Sequence, residues 1–117
     1  MSPDTADWSF PFEGPLHATF PALHDAQAAY LAQIDSLRSP DRKTHELIRL
    51  ACTVITRNAR GVRRHARLAR EVGATWEEVL GSVMLTVPSA GLGPAVESFP
   101  HVRAGFDEAQ ESELEDD

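Results

Sequence analysis

"TRNARGVRRH", residues 56–65, is where one long helical pattern stops and the next begins. Thr56 and Arg57 follow the apolar-rich segment "SPDRKTHELIRLACTVITR", and Asn58 is a side-chain cap candidate for "NARGVRRHARLAREVGAT". Asn58 and Gly61 stand three apart at the start of that second helix, where a redox motif would carry a pair of cysteines. His65 closes the stretch. The junction is therefore a helix boundary, a redox site without its thiols, or an active site of another kind.

Outward from this junction the chain reads as helices. Upstream, Ser39 and Pro40 give a start signal, with Ser39 as cap and Pro40 at the first helical position. Leu47, Ile48, Ala51, Val54 and Ile55 are the expected buried stripe of that helix, and Cys52 is expected as a small core residue with an inert thiol. Before it, "PALHDAQAAYLAQIDSL" places apolar residues at 23, 26, 30, 34 and 37, which is helical spacing. Downstream, Gly73 is a terminator. Thr75 and Glu78 form a capping box for "TWEEVLGSVMLTV", whose apolar face is Val79, Leu80, Val83, Met84 and Val87 and whose end is set by Pro88. "SAGLGPAV" is a turn, and a last helix follows, with Pro100 marking a point where it could bend. No segment alternates with period two. The fold class is all-α, of about five helices.

The ends differ from this helical body. Residues 1–20 hold Pro3, Pro11 and Pro15 among Trp8, Phe10, Phe12 and Phe20, and read as an extended arm that packs on the domain or on a neighbouring subunit. Residues 107–117 carry seven acidic residues and no basic one. Without them the remaining chain has 11 acidic against 11 basic residues, so the net charge of −7 belongs to this segment, expected to be a disordered, solvated tail. The helical domain then spans residues 21–106. These numbers argue against nucleic-acid binding. No apolar run is long enough to cross a bilayer, so the expectation is a cytoplasmic protein with no membrane partner. One cysteine among 117 residues excludes an intrachain disulfide and a thiolate metal cluster.

The second helix has two faces. At about 100° per residue, Asn58, Gly61, Val62, His65, Ala69 and Val72 fall on one side. Arg57, Arg60, Arg63, Arg64, Arg67 and Arg70 fall on the other, as a solvated face with ion pairs to neighbours or as an anion-attracting rim. His65 on the apolar side needs a partner once buried, and Glu46, beside Leu47 and Ile48, is the candidate. Such a pair is either a hydrogen-bonded core contact or an acid/base unit whose groups are tuned by burial and by each other. His17, His24, His45 and His101 show no ligand spacing, and no metal site is expected.

Together, "DRKTHELIRLACTVITR", the run from His65 to "GAT" with "EEVL", and "GLGPAV" resemble the carboxymuconolactone decarboxylase and alkyl hydroperoxidase D superfamily over residues 21 to about 102. The resemblance implies a compact orthogonal helical domain, assembling as a trimer or hexamer, with a site near the subunit interface. In the peroxidase branch it would set the Glu on Glu46, the His on His65, the two cysteines on Asn58 and Gly61, and an additional His on Arg60. Neither Asn nor Gly supplies a thiolate, so peroxidase chemistry is the least expected activity. Members of the decarboxylase branch also lack the pair and keep the His, with a carboxylate where this chain has Gly61. The resemblance thus implies a cofactor-free, non-redox acid/base enzyme of lyase or isomerase type. Its substrate would be a small organic acid, lactone or polyketide-like molecule, with Glu46 and His65 catalytic and Asn58 and Gly61 lining the substrate site. The competing reading is a non-catalytic oligomeric scaffold or binding protein of the same family.

Overall fold

In the computed structural model the described residues are 13–116, with side chains through Ala109; the part of the expected arm before residue 13, including Trp8, Phe10 and Phe12, lies outside them. The chain divides into two units between Arg38 and Ser39. In the first, α1 (Glu13–Thr19) is followed by α2 (Pro21–Asp35). Residues 13–19 were expected to be extended because of proline content. They are helical because Pro15 falls in the first turn, where a backbone N–H has no helical partner to lose. Pro21 likewise opens α2.

The second unit contains α3 (Arg42–Ile55), α4 (Ala59–Glu71), α5 (Trp76–Met84), the short α6 (Val87–Ala90) and α7 (Leu92–Asp116). Five of the helices have nine residues or more, and no strand occurs among the described residues. The cap of α3 is Asp41, not Ser39. Its carboxylate accepts the Thr44 hydroxyl at 2.6 Å and the Thr44 N–H at 3.4 Å, so the helix starts two residues later than expected and Pro40 precedes it. Arg57 takes a left-handed φ of 55° to turn the chain out of α3, and Asn58 caps α4. Gly73, at φ 100°, ends the α4 segment. Both halves of the Thr75–Glu78 capping box are made, at 3.0 and 3.1 Å. The α5 helix stops at Met84, before Pro88, which instead sits in the first turn of α6.

The core gathers Leu50 and Val54 of α3, Val62, Ala66 and Ala69 of α4, Val79 and Val83 of α5, and Ala95, Val102 and Phe106 of α7. Each buried Val or Leu contributes about 1.5–3 kcal/mol relative to an exposed one. Packing of α7 on α4 needs Gly105, because a Cβ there would run into the Arg63 carbonyl and crowd the Ala66 methyl. Arg70 donates to the Phe106 carbonyl at 2.8 Å and lies over the Phe106 ring. The stripe expected on α3 is rotated. Ile48 and Ile55 are half exposed and Cys52 is exposed, while His45 and Glu46 turn inward with Leu50 and Val54. The α7 helix continues through residues 107–116, expected to be a disordered tail, and its start is held by packing: Ala109 is buried, and Asp107 and Glu108 pair with Arg103 and Arg63.

Candidate functional site

Glu46 lies just past the first turn of α3 and His65 in the middle of α4, 19 residues apart in sequence. The Arg57–Asn58 turn reverses the chain so that their inward faces meet. Glu46 is fully buried and His65 is 4% exposed, and His65 Nδ1 lies 2.9 Å from Glu46 Oε2. An ionised carboxylate only accepts, so the Nδ1–H donates and the lone pair of a neutral ring sits on Nε2.

The electrostatics favour this protonation state. Burial pushes the Glu46 carboxyl up, but the hydrogen bond from His65 and the positive charges of Arg42 and Arg49 oppose it, and the group ends below the ordinary carboxylate range. Burial lowers the His65 imidazole below its ordinary value; the Glu46 bond opposes this, and the nearby Arg49 and Arg64 reinforce it. At neutral pH the pair is therefore a carboxylate and a neutral imidazole. Glu46 Oε1 lies 3.2 Å from an Arg42 guanidinium nitrogen, within ion-pair range but without hydrogen-bond geometry.

Asn58 and Gly61 are brought together as a helix cap: the Asn58 side-chain oxygen accepts the Gly61 N–H at 3.0 Å. A Cβ on Gly61 would press on the Thr53 methyl at 2.7 Å and on the Asn58 amide nitrogen at 2.9 Å. Glycine at this position is thus explained by packing around the cap. Two cavities are described in this unit. One, of about 30 Å³, is lined by Arg57, Ala59, Val62, Glu97, Ser98 and His101 among others. The other is an apolar groove of about 350 Å³ between α5 and α7, lined by Leu80, Val83, Met84, Leu92, Val96 and Phe99 among others. Neither is lined by Glu46, His65, Asn58 or Gly61.

Residues that the sequence alone did not single out surround the pair. His45 is buried beside Glu46, and its Nε2 accepts from Arg49 at 3.3 Å. The signal was present as spacing: Arg42 to Glu46 and His45 to Arg49 are both four apart on one helix. The arginine-rich face of α4 is largely an ion-pair surface. Arg63 meets Glu108, Arg67 meets Glu71 at 3.2 Å, and at the preceding turn Arg57 meets Glu97 at 3.1 Å. In the first unit, His17 and His24 come into edge-on ring contact although nothing in their spacing suggested it. No helix among the described residues is long and apolar enough to cross a membrane.

No curated protein matches the chain. The model of the carboxymuconolactone decarboxylase family matches residues 21–104. That match takes in α2 through the first half of α7 and both members of the buried Glu46–His65 pair, and with it the chain belongs to the carboxymuconolactone decarboxylase family.

Proposed function

We propose that this protein is a non-redox acid/base enzyme of lyase or isomerase type, acting on a small carboxylated lactone or related organic acid. The observation that carries the reading is the 2.9 Å contact between a buried carboxylate and an imidazole held below its ordinary pKa. His65 Nε2 takes a proton from the substrate. In an isomerisation the resulting imidazolium, stabilised by Glu46, returns that proton to another carbon; in a decarboxylation CO2 leaves, its bonding electrons stay on the carbon, and the proton that quenches them is drawn from solvent through His65. Glu46 stays ionised and fixes the ring through Nδ1, and no electron changes hands. Arg42, Arg49 and Arg64 surround the pair with positive potential, which suits an anionic substrate. Positions 58 and 61 offer no thiol, and Cys52 faces outward on α3.

Assembly belongs to this proposal. Ile48, Cys52 and Ile55 form an exposed apolar row on α3, which a trimeric or hexameric interface would cover. The second reading, an oligomeric scaffold with a structural pair, is favoured by the depth of Glu46 and by the position of both described cavities away from it.

One experiment separates the two. CO2 release from 4-carboxymuconolactone and a panel of carboxylated lactones is followed with the wild-type chain and with Glu46→Gln and His65→Ala. The enzyme reading expects turnover that falls by about two orders of magnitude or more in each variant, with oligomer mass unchanged. Turnover unaffected by either change, or absent across the panel, supports the scaffold.

A further inference from the structure

The first unit brings together four side chains that are not part of the buried pair. Glu13 and His17 stand four apart on α1 and so share a face, and His24 and Asp25 lie on the second turn of α2. Donor atoms of His17, His24 and Asp25 all lie within 4.8 Å of one another. The rings of His17 and His24 meet edge to face with centroids 4.8 Å apart. His24 is held at both ends: its Nδ1 is 3.1 Å from Asp25 Oδ1 and its Nε2 is 3.0 Å from Glu13 Oε1.

We propose that His17, His24 and Asp25 form a binding site for a divalent ion of the zinc class, clipping α1 to α2, with Glu13 orienting His24 from behind. The donor set of two imidazoles and one carboxylate suits zinc better than calcium or magnesium, which take oxygen ligands. Zinc bonds of about 2.0–2.2 Å set neighbouring tetrahedral donors about 3.4 Å apart, so the widest pair closes by about 1.4 Å through side-chain rotation. His24 binds through Nδ1, the nitrogen that faces Asp25. Its Nε2–H then donates to the Glu13 carboxylate, the outer arrangement that fixes the tautomer and strengthens a metal-bound histidine. Asp25 is largely exposed and His17 is exposed, so an ion reaches the site from solvent and water completes the coordination. On binding, the ion replaces the Nδ1 proton of His24, which leaves to solvent.

The test uses the full chain without a polyhistidine tag, stripped with chelator. Zinc is titrated by calorimetry, and cobalt by its visible absorption as a report on geometry. One ion per chain is expected, with a tetrahedral cobalt spectrum. His17→Ala and His24→Ala abolish saturable binding while circular dichroism keeps the helical signal, and Glu13→Gln weakens it by about tenfold or more. His101→Ala leaves it unchanged. Absence of saturable zinc binding, or binding that survives the His17→Ala, His24→Ala double change, overturns the site. Unchanged affinity in Glu13→Gln overturns the role of Glu13.

Discussion

Two of the described histidines, His65 and His24, meet carboxylates at nearly equal distances, yet their protons behave oppositely. In the second unit, His65 meets Glu46 at 2.9 Å with both side chains buried. In the first, His24 meets Glu13 at 3.0 Å and Asp25 at 3.1 Å near the surface. His65 is lowered below the ordinary histidine value, first by burial. His24 is raised above it, first by the bond to Asp25 and then by the bond to Glu13, which together outweigh the opposing desolvation. The distance to a carboxylate therefore does not decide the protonation state. The water around the pair does: where it is removed and guanidinium groups stand close by, the ring stays neutral and can serve as a base. Where water remains and a second carboxylate is added, the ring keeps its proton to higher pH.

The largest expected effect comes from breaking the buried contact or the packing that encloses it. Glu46→Ala leaves the His65 N–H without its acceptor and opens a cavity, at a cost of about 3 kcal/mol in chemical denaturation. Gly105→Ala, far from the pair in sequence, should cost a similar amount, on the order of 3 kcal/mol, because its Cβ collides with the Arg63 backbone and forces α7 off α4. A cost near zero for Gly105→Ala would mean that α7 and α4 do not meet as described. A smaller effect is expected at the junction. Asn58→Ala removes the acceptor for the Gly61 N–H and should cost about 1 kcal/mol, with turnover on any identified substrate falling far less than in His65→Ala. A loss as large as that of His65→Ala would place Asn58 in the substrate site.

The smallest effect sharpens the comparison through pH. For His65, with its folded pKa below the ordinary 6.5, the unfolded chain binds more protons as the solution is acidified from that point, so stability falls until pH passes below the folded pKa. Glu46, lowered from 4.5, adds a loss of the same sign at more acid pH. His24, raised above 6.5, has the opposite sign: its contribution is complete below 6.5 and is lost as pH rises through the folded pKa. Thermal melts from pH 8 to pH 5 should thus contain a His65-dependent decline below 6.5, which His65→Gln should flatten. Glu13→Gln should leave that decline in place and move only the His24 titration, toward 6.5.

Much of the second unit was legible because its signals are local. The Asn58 cap, the Thr75–Glu78 box and the Gly73 terminator depend on residues within a few positions, and each occurs where the sequence puts it. Glu46 and His65 could be matched across 19 residues because a polar group on an inward face needs a partner. The face of α3 could not be read as securely, since that helix carries two apolar rows. Leu47, Leu50 and Val54 form one, and Ile48, Cys52 and Ile55 form the other. Both satisfy helical periodicity, and only the placement of α4, α5 and α7 selects the first for the core. Ser39–Pro40 misled for a related reason: Asp41, with Thr44 three residues on, is an equally valid start, and the side-chain bonds choose it. The His17–His24–Asp25 cluster was illegible because its residues come from two helices whose crossing no periodicity encodes.

The most direct measurement is a histidine-resolved NMR titration of the wild-type protein, with His65→Ala and His24→Ala used to assign the signals. The His65 ring should titrate below 6.5 and the His24 ring above it, and Glu13→Gln should move only the latter. A His65 ring that titrates above 6.5, as an imidazolium held by Glu46 at neutral pH, would contradict the neutral base on which the proposed chemistry rests.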